Sequence, residues 1–142
     1  MQVQTLHEIL HGPAVRKILF MDTERTIQDT VLPHFRDCLA GTEADWTQAV
    51  DTMLEVVPRG SSKWSGVQAF LQAAGLQPRH VLAFGDGMND FEMVLNAGYG
   101  VAMGNAKPAV LEVADYITAD HDSDGVAQLL DLFLLERAAA LK

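Results

Sequence analysis

Apolar and polar positions along the chain fall into two regimes. From Ser61 onward the rhythm is regular. The stretch "SSKWSGVQAFLQAAG" sets Trp64, Val67, Leu71 and Ala74 on one helical face and stops at Gly75. "HVLAFGD" is a short apolar run that predicts a strand, and "MNDFEMVLNAG" predicts a short helix ended by Gly98. "YGVAMG" predicts a strand, "KPAVLEVA" a helix with Pro108 near its first turn, and "DYITA" another strand. "SDGVAQLLDLFLLERAA" predicts a closing helix that buries Val126, Leu129, Leu130, Phe133 and Leu134. Strands alternating with helices over short loops imply an α/β fold with a parallel sheet flanked by helices.

The earlier part is less regular. "VQTLHEIL" has helical spacing and stops at Gly12 and Pro13. "VRKILFMD" is an apolar run between turn signals and predicts a buried strand. "TIQDTVLPHFRDCLAG" predicts a helix with a kink or break at Pro33. "TEADW" is polar, whereas "TQAV" and "MLEVVP" are short β-like runs, the second closed by Pro58 and Gly60. The change of rhythm near residues 57–60, taken with the strand leading into it, divides the chain into residues 1–53 and 54–142.

Composition narrows the function classes. A length of 142 residues with 49% hydrophobic residues supports a packed core. The net charge of −9 argues against nucleic acid and against an anionic membrane surface as partners. Cys38 is the single cysteine, so no intrachain disulfide forms, which fits a cytoplasmic setting. No apolar run is long enough to span a bilayer, and the first residues lack a cationic leader.

The chemistry concentrates in "VLAFGDGMND". In a parallel α/β sheet, ligands sit beyond the carboxyl ends of the strands, and the strand delivers Asp86 to that edge. Gly85 and Gly87 allow a sharp turn with space beside it. Asn89 and Asp90 open the next helix, where free N–H groups favour an anion. Two carboxylates there suit a hard, oxygen-seeking cation such as Mg²⁺. Taken alone, the stretch reads equally well as a glycine-rich turn with Asn89 or Asp90 as a helix cap. Lys63 shifts the balance. It stands in the first turn of the preceding helix, after a strand expected in the same sheet, and can neutralise a phosphate or carboxylate at the same edge.

Over residues 54–135 the chain resembles the C-terminal part of a haloacid dehalogenase-like hydrolase of the Cof type. "EVVPRGSSKWSGVQAFLQAAGL" resembles the third motif of that family. "VLAFGDGMNDFEMVLNAGYGVAMGNAKPAVLEVADYIT" resembles its fourth, and "HDSDGVAQLL" the entry to its closing helix. Trp64 departs from the glycine that commonly follows the lysine. The resemblance implies a partial Rossmann-like core with an N-terminal remnant of an α/β cap domain over residues 1–53. It implies Mg²⁺ at Asp86, with Asp90 supporting the metal directly or through water. Lys63 and Asn89 would hold the phosphate, and Lys63 would also orient the nucleophile. The implied reaction is hydrolysis of a small phosphorylated metabolite through an aspartyl-phosphate.

The family's first motif, Asp-x-Asp-x-Thr or Val at the end of a buried strand, is not plain in this sequence, nor is the second. "VRKILFMDTERTIQDTVLPHF" resembles the strand and helix of the cap. "ILFMDTERT" also mimics a degenerate first motif, with Asp22 as nucleophile and Glu24 as acid and base. Against that reading, Glu replaces Asp, Arg25 follows where a small residue is usual, and the interval to Asp86 leaves little room for a second motif. The expectation is therefore a phosphatase lacking its nucleophile motif in this chain and inactive alone. The alternative is an inactive remnant serving as a binding or assembly module, or half of a split enzyme. With the nucleophile strand absent, "HVLAFGD" has an open sheet edge, and a homo-oligomer or other association through it is expected. "GNA" at 104–106 reads as a tight loop in which Asn105 caps the following helix.

Overall fold

The computed structural model describes residues 15–140, so the helix expected over "VQTLHEIL" lies outside the described residues. The chain divides into two compact units, Met1–Ser61 and Ser62–Lys142.

The N-terminal unit holds a three-stranded antiparallel sheet in the order β1 (Ile18–Met21), β3 (Met53–Pro58), β2 (Ala44–Thr47). β3 is central because Leu54, Val56 and Val57 supply its buried side chains. Residues 54–58, expected with the C-terminal part, thus belong to the N-terminal sheet. The strand before Lys63 is not in the parallel sheet that carries Asp86. β2 forms over "ADWT" rather than "TQAV". Trp46 stands opposite Val56, and such an aromatic and β-branched cross-strand pair outweighs the polar look of the segment. β1 was expected to be buried, yet Ile18, Leu19 and Met21 are exposed, because among the described residues it is an edge strand with β3 as its one neighbour.

The helical run after β1 starts with Thr23, whose hydroxyl accepts from the Thr26 amide at 3.3 Å. It comprises α1 (Glu24–Thr26), a π-helical turn (Ile27–Val31) and α2 (Leu32–Leu39). Pro33 lacks an N–H, and in a regular α-helix its ring would press on the Asp29 carbonyl. The wider turn just ahead of it relieves that clash, so the expected break is a local widening of the helix. Within that turn Ile27 is fully buried, and Phe20 of β1 meets Phe35 of α2 at 4.5 Å between ring centroids.

In the C-terminal unit β4 (Leu82–Gly85), β5 (Tyr99–Ala102) and β6 (Tyr116–Ile117) form a parallel sheet in that order. The helices are α3 (Lys63–Ala74), α4 (Phe91–Asn96), α5 (Pro108–Val113) and α6 (Gly125–Ala140). β5 is central, with Gly100, Val101 and Ala102 all buried, as expected of a parallel strand covered on both faces. The core joins Val94 of α4, Ala102, Ala106 and Val110 of α5. α3 ends as expected at Gly75, in the left-handed conformation (φ 66°). The stripe expected to be buried on α6 is largely open. Leu129 and Phe133 are half-buried, but Val126, Leu130 and Leu134 are exposed. Phe133 packs on Tyr99 and Tyr116 at 5.6 and 6.0 Å, and a sheet this narrow gives the rest of the helix nothing to cover. Among the described residues, β4 has a neighbour on one side only, and no helix is long and apolar enough to cross a membrane.

Candidate functional site

The site is built at the carboxyl ends of β4 and β5, within the C-terminal unit. β4 ends at Gly85 and hands the chain to Asp86. A 3-10 turn, Met88–Asp90, then leads into α4 and brings Asp90 back beneath the strand end. This return needs Gly85, since a Cβ there would lie 2.4 Å from the Asp90 Cβ and 2.9 Å from a Val94 methyl.

Asp90 is the buried charged residue among the described residues of this unit, with 5% of its surface accessible. Its Oδ1 accepts from the Lys63 ammonium. Its Oδ2 accepts from the backbone amides of Asp86 (3.2 Å) and Gly87 (3.1 Å). The amides where Asn89 and Asp90 open the next helix were expected to favour an anion; the Asp90 amide instead bonds to the Gly87 carbonyl at 2.9 Å, and the amides of Asp86 and Gly87 just ahead hold the chain's own carboxylate. With both oxygens engaged, Asp90 fits the role of a brace better than that of a direct metal ligand.

Lys63 is the first residue of α3. Ser62 and Ser65 form a reciprocal capping box, with Ser65 N to Ser62 Oγ at 3.1 Å and Ser62 N to Ser65 Oγ at 2.9 Å. A cation at a helix N-terminus opposes the helix dipole, and the buried Asp90 carboxylate offsets that cost. The Lys63 side chain is half exposed. An ammonium has three donors, and Asp90 takes one of them, leaving the others for a ligand. Trp64, the departure from the family pattern, turns its indole into the core.

Asp86 is half-buried and is gripped from the loop after β5. Asn105 Nδ2 donates to its Oδ2 at 2.8 Å, and Lys107 N donates to its carbonyl at 2.8 Å. Its Oδ1 has no hydrogen-bond partner among the described residues. Asn89 is half-buried and its side chain bonds to no described residue, so it too is available to a ligand. Lys63, Asp86, Asn89 and Asp90 are therefore gathered in one unit. Asp22 and Glu24 belong to the N-terminal unit: Asp22 follows β1, where its Oδ1 accepts from the Thr23 amide at 2.6 Å, and Glu24 opens α1.

A metal requires a fit with these donors. No group of three or more His, Cys, Asp or Glu converges among the described residues. One free carboxylate oxygen, on Asp86, is what this site offers. That fits Mg²⁺ as a partial shell, since the ion binds through one or two carboxylates and completes itself with water and phosphate oxygens.

Asn105 was expected to cap a helix. Lys107 holds the cap position of α5 instead, and Asn105 is drawn to Asp86. Its position after a central strand was the available signal, because loops after neighbouring strands share one rim. Asp120 was not singled out, although its Oδ1 is buried without a hydrogen-bond partner among the described residues.

The parallel sheet thus carries Asp86 at a strand end, with Lys63 at a helix start and Asn89 in the turn that follows the strand. The chain belongs to the haloacid dehalogenase-like hydrolase family, whose sequence model matches residues 2–130. It is similar to a 5-amino-6-(5-phospho-D-ribitylamino)uracil phosphatase, YcsE, of Bacillus subtilis, with 37% identity over 109 residues, covering 77% of this chain and 43% of that protein. It is also similar to the chloroplastic endoribonuclease YBEY of Arabidopsis thaliana, 35% identical over 128 residues, covering 90% of this chain and 22% of that protein. Among solved structures, a haloacid dehalogenase-like hydrolase from Bacteroides thetaiotaomicron superposes with a TM-score of 0.72 at 32% identity, covering 86% of this chain and 45% of that one. The chain thus spans less than half the length of each of these relatives.

Proposed function

We propose that this chain is the phosphate- and cation-binding portion of a Mg²⁺-dependent, Cof-type phosphatase that hydrolyses a small phosphorylated metabolite in the cytoplasm. The observation that carries the reading is the set of uncommitted groups at one sheet edge: the spare Lys63 donors, Asp86 Oδ1 and the Asn89 amide. In this reading Lys63 and Asn89 bind the phosphoryl oxygens and draw off their negative charge as the bond breaks. Asp90 does not touch the phosphate; it fixes the Lys63 ammonium over the edge. Asp86 holds Mg²⁺, which when bound neutralises phosphoryl charge. The attacking carboxylate comes from a strand outside the C-terminal unit that pairs with the free edge of β4, and residues 15–61 are part of a cap domain.

The test is hydrolysis of p-nitrophenyl phosphate with Mg²⁺. The chain alone gives no turnover above background, because nothing at the site attacks phosphorus. Turnover abolished by both Asp22→Asn and Asp86→Asn would overturn this and make Asp22 the nucleophile.

The edge of β4 that no described residue pairs favours a second reading. In it the chain is a non-catalytic module, or half of a split enzyme, that associates through that edge. Phosphate binding lost on Lys63→Met, with no hydrolysis under any pairing of chains, distinguishes it from the first.

A further inference from the structure

We propose that Asn105 is a positioning residue for Asp86, holding one carboxylate oxygen so that the other is presented to a hard divalent cation. The inference rests on the reading of Asp86 as a cation-binding carboxylate. The geometry defines the amide's orientation. Asn105 Nδ2 faces the Asp86 Oδ2 at 2.8 Å, and Asn105 Oδ1 accepts from the His121 backbone amide at 3.2 Å. A reversed amide would set its oxygen against a carboxylate and its NH₂ against an N–H, so only this orientation satisfies both neighbours. The side chain therefore ties three segments together: the turn after β4, the loop after β5 and the turn following β6.

The backbone of Asp86 is fixed separately. Its carbonyl accepts from Lys107 N at 2.8 Å, and its amide donates to Asp90 Oδ2 at 3.2 Å. Loss of the Asn105 amide consequently frees the Asp86 carboxylate to rotate while its Cα stays in place. Partners that orient a ligating carboxylate matter for affinity, and their removal typically weakens metal binding 10- to 100-fold.

The experiment is an NMR titration of the ¹⁵N-labelled chain with Mg²⁺ alone, for wild type, Asn105→Ala and Asp86→Asn, with urea unfolding of each. In the wild type, Mg²⁺ is expected to shift the amides of residues 85–87 with weak affinity. Asp86→Asn should abolish the response. Asn105→Ala should weaken it by about 10-fold or more while the spectrum elsewhere stays that of the folded chain. A purely structural role would lower the urea midpoint and leave the Mg²⁺ affinity of the folded protein unchanged. Affinity lost in Asp86→Asn but retained in Asn105→Ala overturns the positioning role and leaves the cation reading standing. No Mg²⁺ response at residues 85–87 in the wild type overturns the cation reading of Asp86, and this inference with it.

Discussion

Among the polar side chains of the site, Asp90 should be the most costly to remove, and the reason lies in which bonds Asp90→Ala takes away. Asp90 accepts three hydrogen bonds, from the Lys63 ammonium and from the amides of Asp86 and Gly87. Lys63 is half exposed and can turn to water, so its share is that of a partly screened pair, about 0–1 kcal/mol. The two amides lie in a half-buried turn, and leaving each without its partner costs about 1–3 kcal/mol. Discounted for water reaching the turn, the total is about 3 kcal/mol. Asp90→Asn keeps one oxygen for the amides but points an NH₂ at the ammonium, giving about 1–2 kcal/mol. Lys63→Met leaves the amide bonds intact and should cost about 1 kcal/mol or less.

Urea melts followed by Trp64 fluorescence in a Trp46→Phe background read the C-terminal unit, where Trp64 is buried. The expected order of midpoints is wild type, Lys63→Met, Asp90→Asn, Asp90→Ala. If Lys63→Met costs as much as Asp90→Ala, the ion pair dominates and the argument from the amides is wrong.

Gly85→Ala should destabilise the same unit by about 3 kcal/mol or more through overlap with Asp90, measured as a fall in the same urea midpoint. A midpoint within experimental error of wild type would contradict the close approach. Ile27→Ala removes a fully buried side chain from the N-terminal unit and should cost about 2–5 kcal/mol, read by Trp46 fluorescence in a Trp64→Phe background. Light scattering coupled to size exclusion should find a dimer or larger species, because one edge of β4 is unpaired among the described residues. A stable monomer of 15.5 kDa at high micromolar concentration is the contrary result.

The sequence is most legible where one physical signal dominates. The helix over 63–74 shows in the spacing of Trp64 and Leu71 and its stop in Gly75, whereas the serine capping box at its start went unread. β4 shows as an apolar run ending in Gly-Asp, and the site was recognisable because a buried strand rarely hands over to such a cluster of acids and an amide. What could not be read depends on partners distant in the chain. Nothing in "ADWT" announces a strand until Val56 stands opposite Trp46. The sheet to which β3 belongs is likewise a matter of pairing, and local pattern cannot distinguish an antiparallel neighbour from a parallel one. The closing helix carries apolar residues around much of its circumference, so its sequence demands burial, while of the expected stripe the narrow sheet half-buries Leu129 and Phe133 and leaves Val126, Leu130 and Leu134 exposed. Asp90 was legible as an acid at the edge but not as one already saturated by donors, since two of those donors are backbone amides that any residue could supply.

The contact between Gly85 and Asp90 also constrains how this segment can change over time. Gly85 cannot acquire even a methyl group while Asp90 keeps its Cβ 2.4 Å from the place that methyl would occupy. Asp90 cannot shrink to make room without releasing Lys63 and two amides. Each position is thus held by the other, and a single substitution at either one moves the protein downhill in stability before any second change can compensate. Five positions apart in the chain, the two behave as one unit of inheritance. Tolerated variants are expected to appear at both positions together or at neither, and a paired library randomising 85 and 90 should return glycine with aspartate far more often than the separate frequencies predict.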